Sequence, residues 1–341
     1  MTMRRSVLLL VIVVAALGYA CSGPQPVMSP AGPAARDIAQ LGWFVLVTFC
    51  AVTVAMWILI LWVGVRRTGT FAEHEKWDAA AERSWIHWGG IAIPLVILGV
   101  IFVYTLVVLG RFPRGGTHDE HPAAPDITLV GHQWWWEVQY QIGDTHQHVV
   151  GANEIHIPAG RPVDIELISR DVIHSFWVPQ LHGKVDLVPG MLNRIRIEAD
   201  HPGLYRGECA EYCGPQHAHM ILLVKAQSQA DFDAWLGQER QPAVPPSDAQ
   251  GARGQQVFMS GPCSTCHTIR GTDAHGLVGP DLTHLASRDG IAANAYPNNT
   301  AYLEAWVTHA QSLKPYAQMP NMTAFTGDDL RALTTYLRGL K

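Results

Sequence analysis

Two stretches of this chain, residues 38–65 and 89–109, hold no acidic or basic side chain. At about 1.5 Å of rise per residue, a helix over either one is long enough to cross a hydrocarbon core of about 30 Å. Inside such a core every backbone polar group must be satisfied within the protein, which leaves a helix as the structure for an apolar segment of this kind. Pro94 lies within the second stretch; membrane helices tolerate its missing N–H because neighbouring groups re-satisfy the carbonyl it leaves. Arg66, Arg67, Lys76 and Arg83 lie between the stretches. An excess of basic residues in a short loop places that loop in the cytoplasm and both ends of the helical hairpin on the other side.

Ahead of the hairpin, residues 1–20 combine Arg4 and Arg5, an apolar run over 7–17 and a small-residue exit, which is the layout of a secretory signal peptide. Cys21 follows directly; it stands where a bacterial lipoprotein leader carries its lipid-modified cysteine, the alternative being an unmodified leader. The remaining length of this 341-residue chain has room for two globular units. Net charge is only −5 and the basic residues form no long run, so the electrostatic footprint of nucleic-acid binding is missing.

From about 125 to 226 the sequence alternates as half-buried strands do: Val163, Ile165 and Leu167 against Asp164 and Glu166, then Ile195 and Ile197 against Arg194, Arg196 and Glu198. Several short strands punctuated by Pro-Gly predict an antiparallel β-sandwich or barrel over 120–228. A linker is expected over 237–250, where Pro242, Pro245 and Pro246 cluster. Beyond it, over 251–341, the pattern is helical. Thr326 can cap a helix that carries Leu330, Leu333, Leu337 and Leu340 on one stripe.

Four of the six cysteines form tight pairs beside histidines, Cys209 with Cys213 and Cys263 with Cys266, a spacing of metal or haem chemistry rather than of disulfides. Cys209, Cys213, His217 and Met220 read C-x3-C-x3-H-x2-M. Thiolate, imidazole and thioether together select copper, whereas zinc prefers a set of cysteines and histidines. A mononuclear blue site needs one cysteine, so the second thiolate implies two metals sharing both sulfurs. The competing reading is a pair of buried cysteines beside a core methionine. His219, His182 and His156, each alone, read as hydrogen-bonded or surface histidines.

These residues resemble subunit II of the haem-copper cytochrome c oxidases, whose copper loop C-x-E-x-C-G-x2-H-x2-M is matched from Cys209 through Glu211, Cys213 and His217 to Met220. A further histidine context, H-S-[FW]-x-V-P, is matched at His174-Ser175-Phe176-Trp177-Val178-Pro179. The resemblance implies a cupredoxin-like sandwich with a binuclear CuA centre. In it Cys209 and Cys213 bridge, His174 and Met220 complete one copper, and His217 with the Glu211 carbonyl completes the other. It further implies a Mg ion on the Glu211 carboxylate. Gly131-His132-Gln133-Trp134-Trp135-Trp136 is similar to the family's aromatic segment, which makes Trp134 the candidate point of electron intake; packing in a β-domain core is the rival role. Glu82, just before the second apolar stretch, stands where the family has a glutamate at the mouth of a proton channel. A charged residue at a helix end is ordinarily interfacial.

Cys263-Ser264-Thr265-Cys266-His267 is a C-x-x-C-H haem attachment signature: two thioether bonds to haem and a proximal iron ligand. The segment resembles class I cytochromes c, with Gly279-Pro280-Asp281-Leu282 as haem-packing loop and Gln318-Met319-Pro320 supplying the sixth ligand. Met319 is the axial candidate and Met322 the alternative; a thioether there raises the potential relative to a second histidine.

The apolar stretches contain no histidine, so this chain cannot ligate the buried haems and copper at which oxygen would bind. A catalytic partner is required. The family resemblance names it as subunit I, with haems and CuB, beside other oxidase subunits. Reduced cytochrome c or another donor would pass electrons to the fused haem c, then to CuA, then to the site where oxygen is reduced to water with proton pumping. A short linker raises the effective concentration of that haem at the copper. The expected location is the bacterial inner membrane, two-pass in lipid, with both globular domains periplasmic. The rivals are the equivalent subunit of a nitric oxide reductase and a membrane-tethered copper-delivery protein.

Overall fold

The computed structural model describes residues 23–66, 79–112, 126–142 and 145–341. The leader expected over 1–20, Cys21, the loop residues Arg67 and Lys76, and the first residues of the domain expected over 120–228 lie outside the described residues.

Helix α1 (Pro33–Arg66) contains the first charge-free stretch and starts ahead of it, at a proline whose fixed φ suits a first helical turn. The second stretch lies in a longer helical run, from α2 (Ala79–Trp85) through a π-helical segment (Ile86–Ala92) into α3 (Ile93–Arg111). The Ile93 N–H reaches back to the Trp88 carbonyl, so the wide turn falls where Pro94 has no N–H to give. Asp37 and Arg111 approach to 4.0 Å, and the rings of Phe44 and Tyr104 meet edge to face at 5.1 Å. Equal steps in opposite directions along the chain make the pair antiparallel. Large apolar side chains such as Leu61, Val96 and Phe102 are exposed along it, which lipid accommodates and water does not.

The β-domain is a pair of five-stranded sheets. The first orders β3 (Thr145–Ala152), β2 (Trp135–Ile142), β1 (Ile127–His132), β5 (Val163–Ser169) and β8 (Asn193–Ile197). The second orders β4 (Glu154–Pro158), β10 (Ile221–Gln227), β9 (Gly203–Cys209), β6 (His174–Trp177) and β7 (Val185–Leu187). The alternation read in the sequence is realised in β5, where buried and half-buried residues take turns. The expected antiparallel sandwich is mixed in detail, because β1 lies parallel to β5 and β4 parallel to β10. Alternation decides which face is buried, whereas crossover connections decide strand direction, and no local pattern encodes those. Ile155, Ile165, Leu167, Phe176, Leu187 and Ile197 form the core between the sheets.

Helix α4 (Gln229–Glu239), capped by Ser228, lays Trp235 on the β-domain with its ring stacked 3.9 Å from that of His156. Because α4 runs to 239 and α5 (Ala249–Ser260) starts at 249, the linker expected over 237–250 shortens to 240–248. The helical domain follows with α5, the single turn α6 (Cys263–Cys266), α7 (Thr300–Leu313) and α8 (Gly327–Gly339). Helices α5 and α8 cross so closely that a Cβ on Gly254 would stand 2.0 Å from the Ala332 carbonyl oxygen. Thr326 caps α8 by accepting from the Asp329 N–H, and Leu333, Leu337 and Leu340 are buried as their spacing predicts. With Phe258 they bury apolar surface worth about 1.5–3 kcal/mol per side chain.

Candidate metal centre and haem cleft

Cys209 ends β9 and Met220 immediately precedes β10, so two paired strands clamp the ends of the intervening loop. The clamp closes with Cys209 N–H donating to the Met220 carbonyl at 3.1 Å. Inside the loop Gly214 has φ +116° and packs against the Trp134 ring, 3.0 Å from where a Cβ would be, a position that only glycine fills without strain. His174 enters from β6, whose Phe176 pairs with Cys209. Gly131 of β1 lies against it, leaving 2.8 Å between a notional Cβ and the His174 ring.

The donor atoms converge. The sulfurs of Cys209 and Cys213 are 3.7 Å apart. His174 Nδ1 and the Glu211 carbonyl lie 3.9 and 3.2 Å from the Cys209 sulfur. His217 Nδ1 and Met220 Sδ lie 3.6 and 3.9 Å from the Cys213 sulfur. Where both sulfurs bridge, the nearer sulfur does not assign a ligand to one metal, so this grouping is compatible with either pairing. His174, Cys209, Cys213 and Met220 are all buried. Two soft, dry thiols flanked by two imidazoles, a thioether and a carbonyl fit copper, and among the described residues no carboxylate oxygen joins the set to favour a hard cation.

Proton affinities follow from this crowding. The two thiols are coupled: the hydrogen bond between them pulls Cys209 well below the ordinary thiol range and pushes Cys213 up. Burial opposes charge on His174, but the bond to Asp171 and the neighbouring Cys209 raise its pKa overall. His174 Nε2 is 2.8 Å from Asp171 Oδ1. That carboxylate fixes the ring so that Nδ1 faces the sulfurs, the usual second-layer support of a histidine ligand. Asp171 was not singled out in the sequence, although an acid three residues before a ligand histidine is a readable signal. Trp136, wholly buried at the end of the aromatic segment, has a role that the segment alone does not signal: its Nε1–H donates to the Met220 carbonyl at 3.4 Å. The Glu211 carboxylate points away from the cluster and lies 3.7 Å from Lys184. His219, His156 and His182 bond to Gln216, Gln227 and the Gly183 carbonyl. Glu82 is exposed in the first turn of α2.

An apolar cleft opens in the helical domain, lined by Cys263, Cys266, His267, Met319 and Met322 among others. His267 Nδ1 donates to the Pro280 carbonyl at 2.8 Å, which leaves Nε2 as the lone-pair nitrogen. Burial lowers the pKa of His267 and so favours the neutral, ligating form. Gly279 allows the Pro280 loop this close, since a Cβ there would be 2.5 Å from the imidazole. Both methionines reach the cleft. The donor set and apolar lining fit a covalently held haem.

Trp134 belongs to both sites. Its indole N–H donates to the Cys213 carbonyl at 3.0 Å, and its ring borders the cleft that holds Cys263 and Cys266. Gln133 Nε2 donates to the same carbonyl at 2.7 Å. The domains also meet at Lys225, whose ammonium lies 2.7 Å from Glu154 and 2.9 Å from Asp289. Lys314 is 3% exposed and donates to the carbonyls of Trp134, His219 and Ala292. Burial draws its amine down to about 7. A lone lysine ordinarily reads as a surface residue, and nothing in the sequence signals otherwise.

The family profile "Cytochrome C oxidase subunit II, periplasmic domain" matches residues 141–227, and the profile "Cytochrome c" matches 251–341. Cytochrome c oxidase subunit 2 of Alkalihalophilus pseudofirmus is 33% identical over 323 residues, covering 92% of this chain and 90% of that protein. The chain belongs to the cytochrome c oxidase subunit 2 family. The subunit 2 of Bacillus subtilis is 28% identical, over 75% of this chain and 74% of that one. Among solved structures, the periplasmic domain of subunit II of cytochrome oxidase from Bradyrhizobium japonicum is similar over 35% of this chain and 97% of its own, at 27% identity and a TM-score of 0.30. As a subunit 2, the chain is a membrane component of an oxidase complex and works with a subunit I and further subunits. Its β-domain is the family's copper domain, and the fused C-terminal domain is a cytochrome c domain, which implies haem.

Proposed function

We propose that this subunit 2 accepts electrons from reduced cytochrome c at its own haem c and passes them through the binuclear CuA site to subunit I, where oxygen is reduced to water with proton pumping. The observation that carries the reading is Trp134, bonded to the Cys213 carbonyl while bordering the cleft of Cys263, Cys266 and His267. Bound copper and haem supply one-electron redox capacity at the two sites. The protein's part is to hold them. Cys209 and Cys213 would hold both coppers, with His174 and Met220 serving one and His217 and the Glu211 carbonyl the other. Asp171 and Pro280 set which imidazole nitrogen each histidine offers. Cys263 and Cys266 would anchor the haem, with His267 and either Met319 or Met322 as its iron ligands.

In the same reading both globular domains face the periplasm of a bacterial inner membrane, with lipid against the exposed apolar side chains of α1 and α3. The Glu211 carboxylate, 44% exposed beside Lys184, is available to a Mg ion at the contact with subunit I. Glu82, exposed at the start of the second helical run, stands at the mouth of a proton channel in that partner.

The test is flash reduction of the haem in the purified complex, following reoxidation into copper. Trp134→Leu is expected to slow that transfer while copper and haem content stay at two and one per chain. A rate equal to wild type, or a chain loading one copper or zinc, would overturn the route. A partner that reduces nitric oxide and not oxygen would keep the route and change the reaction.

A further inference from the structure

We propose that Lys314 is the latch that fixes the helical domain on the copper domain over Trp134, so that haem cleft and copper loop meet in one docked pose and not through a swinging tether. This goes beyond the proposed route but rests on it for the importance of Trp134.

The geometry is specific. An ammonium has three N–H donors, and Lys314 Nζ meets three carbonyls: Trp134 at 2.8 Å, His219 at 2.9 Å and Ala292 at 2.9 Å. Two of these belong to the copper domain and bracket its loop, one on the tryptophan and one on the residue before Met220. The third belongs to a hairpin of Lys314's own domain, formed by the short strands Gly290–Ile291 and Tyr296–Pro297. Lys314 itself is the C-cap of α7. A lysine is almost never so deeply buried unless its donors are paired, and a domain held only by its linker would leave this side chain in water.

The hairpin tip carries a second, independent observation. Ala292, Ala293 and Asn294 all have left-handed backbones, with φ of 54°, 60° and 57°. A run of such residues is strained and persists only where its surroundings hold it. Here the hold comes from the copper domain: Ile221 N–H donates to the Ala293 carbonyl at 3.2 Å, and Asn294 Nδ2 donates to the Asn153 carbonyl at 2.7 Å. With Trp134 only 8% exposed beneath this contact, an outside cytochrome must deliver electrons to the haem side of the fused domain, because the indole is already covered.

Removing the ammonium takes the donor from a buried carbonyl, that of Trp134, and from two part-buried ones, those of His219 and Ala292. Losing the three hydrogen bonds together corresponds to about tenfold or more in an equilibrium. The experiment uses the full chain in its complex with a protease site inserted after Val244, which is 69% exposed in the linker. In wild type the nicked cytochrome domain is expected to stay bound and to keep its rapid transfer to copper. In Lys314→Met it is expected to dissociate about tenfold or more readily, and intramolecular transfer in the uncut chain is expected to slow, while haem and copper spectra stay unchanged. Lys314→Gln, which keeps two donors, should fall between. Immediate release of the wild-type domain on nicking would overturn the latch, as would a Lys314→Met domain that stays bound with an unaltered transfer rate. If Lys314→Met releases the domain but Trp134→Leu leaves transfer untouched, the latch stands and the tryptophan route fails.

Discussion

Replacing Asp171 by asparagine isolates the charge behind His174, the proposed copper ligand. In the wild type, Asp171 Oδ1 partners His174 Nε2 at 2.8 Å and the Val172 N–H at 2.7 Å, while Oδ2 accepts from the Gln133 N–H at 2.7 Å. Asparagine placed with its oxygen at Oδ1 keeps the first two bonds, loses the third and removes the negative charge. Hydrogen bonds to charged groups contribute about 1.5–3 kcal/mol. Asp171 is 27% exposed although His174 is fully buried, so solvent screening places the loss near the lower end, at about 1.5–2 kcal/mol. That corresponds to about 10–30-fold in copper retention. Competition against a copper chelator, followed by the copper EPR signal of the purified complex, reads this directly. Asp171→Ala should lose more, because the histidine then has no acceptor. Retention within about twofold of wild type in the asparagine variant would show that the negative charge of Asp171 does nothing to hold copper, and the argument from that charge would fail.

Met319→Ala and Met322→Ala separate the axial candidates: only the true ligand's loss should abolish the methionine–iron absorption and lower the haem potential, and loss of both features from either variant alone assigns the role. Glu154 gives a pH signature at the contact between the domains. Burial disfavours its charge, but His156, Lys225 and the Asp289 N–H outweigh it and hold its carboxyl below the usual range. A depressed folded pKa stabilises above the unfolded value and loses that contribution as pH falls through the folded one. The stability gap between wild type and Glu154→Gln, read from thermal unfolding, should therefore be full at neutral pH and close below about pH 4. A gap independent of pH would remove Glu154 from the contact.

Features whose chemistry is local are legible in the order of residues alone. Absence of charge over 38–65 and 89–109 suffices for two long helices, because lipid admits little else. The spacing from Cys209 to Met220 brings four soft donors into one loop, and the C-x-x-C-H run specifies haem attachment without help from distant residues. Thr326 and its leucines state a capped amphipathic helix in the same local way. Tertiary structure decided whatever depends on residues far apart in the chain. The parallel pairing of β1 with β5 follows from crossovers, and the placing of His174 beside Cys209 follows from β6 joining β9. That Trp134 touches the Cys213 carbonyl on one side and the cleft of Cys263 and Cys266 on the other is likewise a product of folding. Lys314 reads as a surface lysine until folding brings Trp134, 180 positions earlier, to its ammonium. Local spacing fixes which ligands are available, but only packing can desolvate a charge and choose its partners.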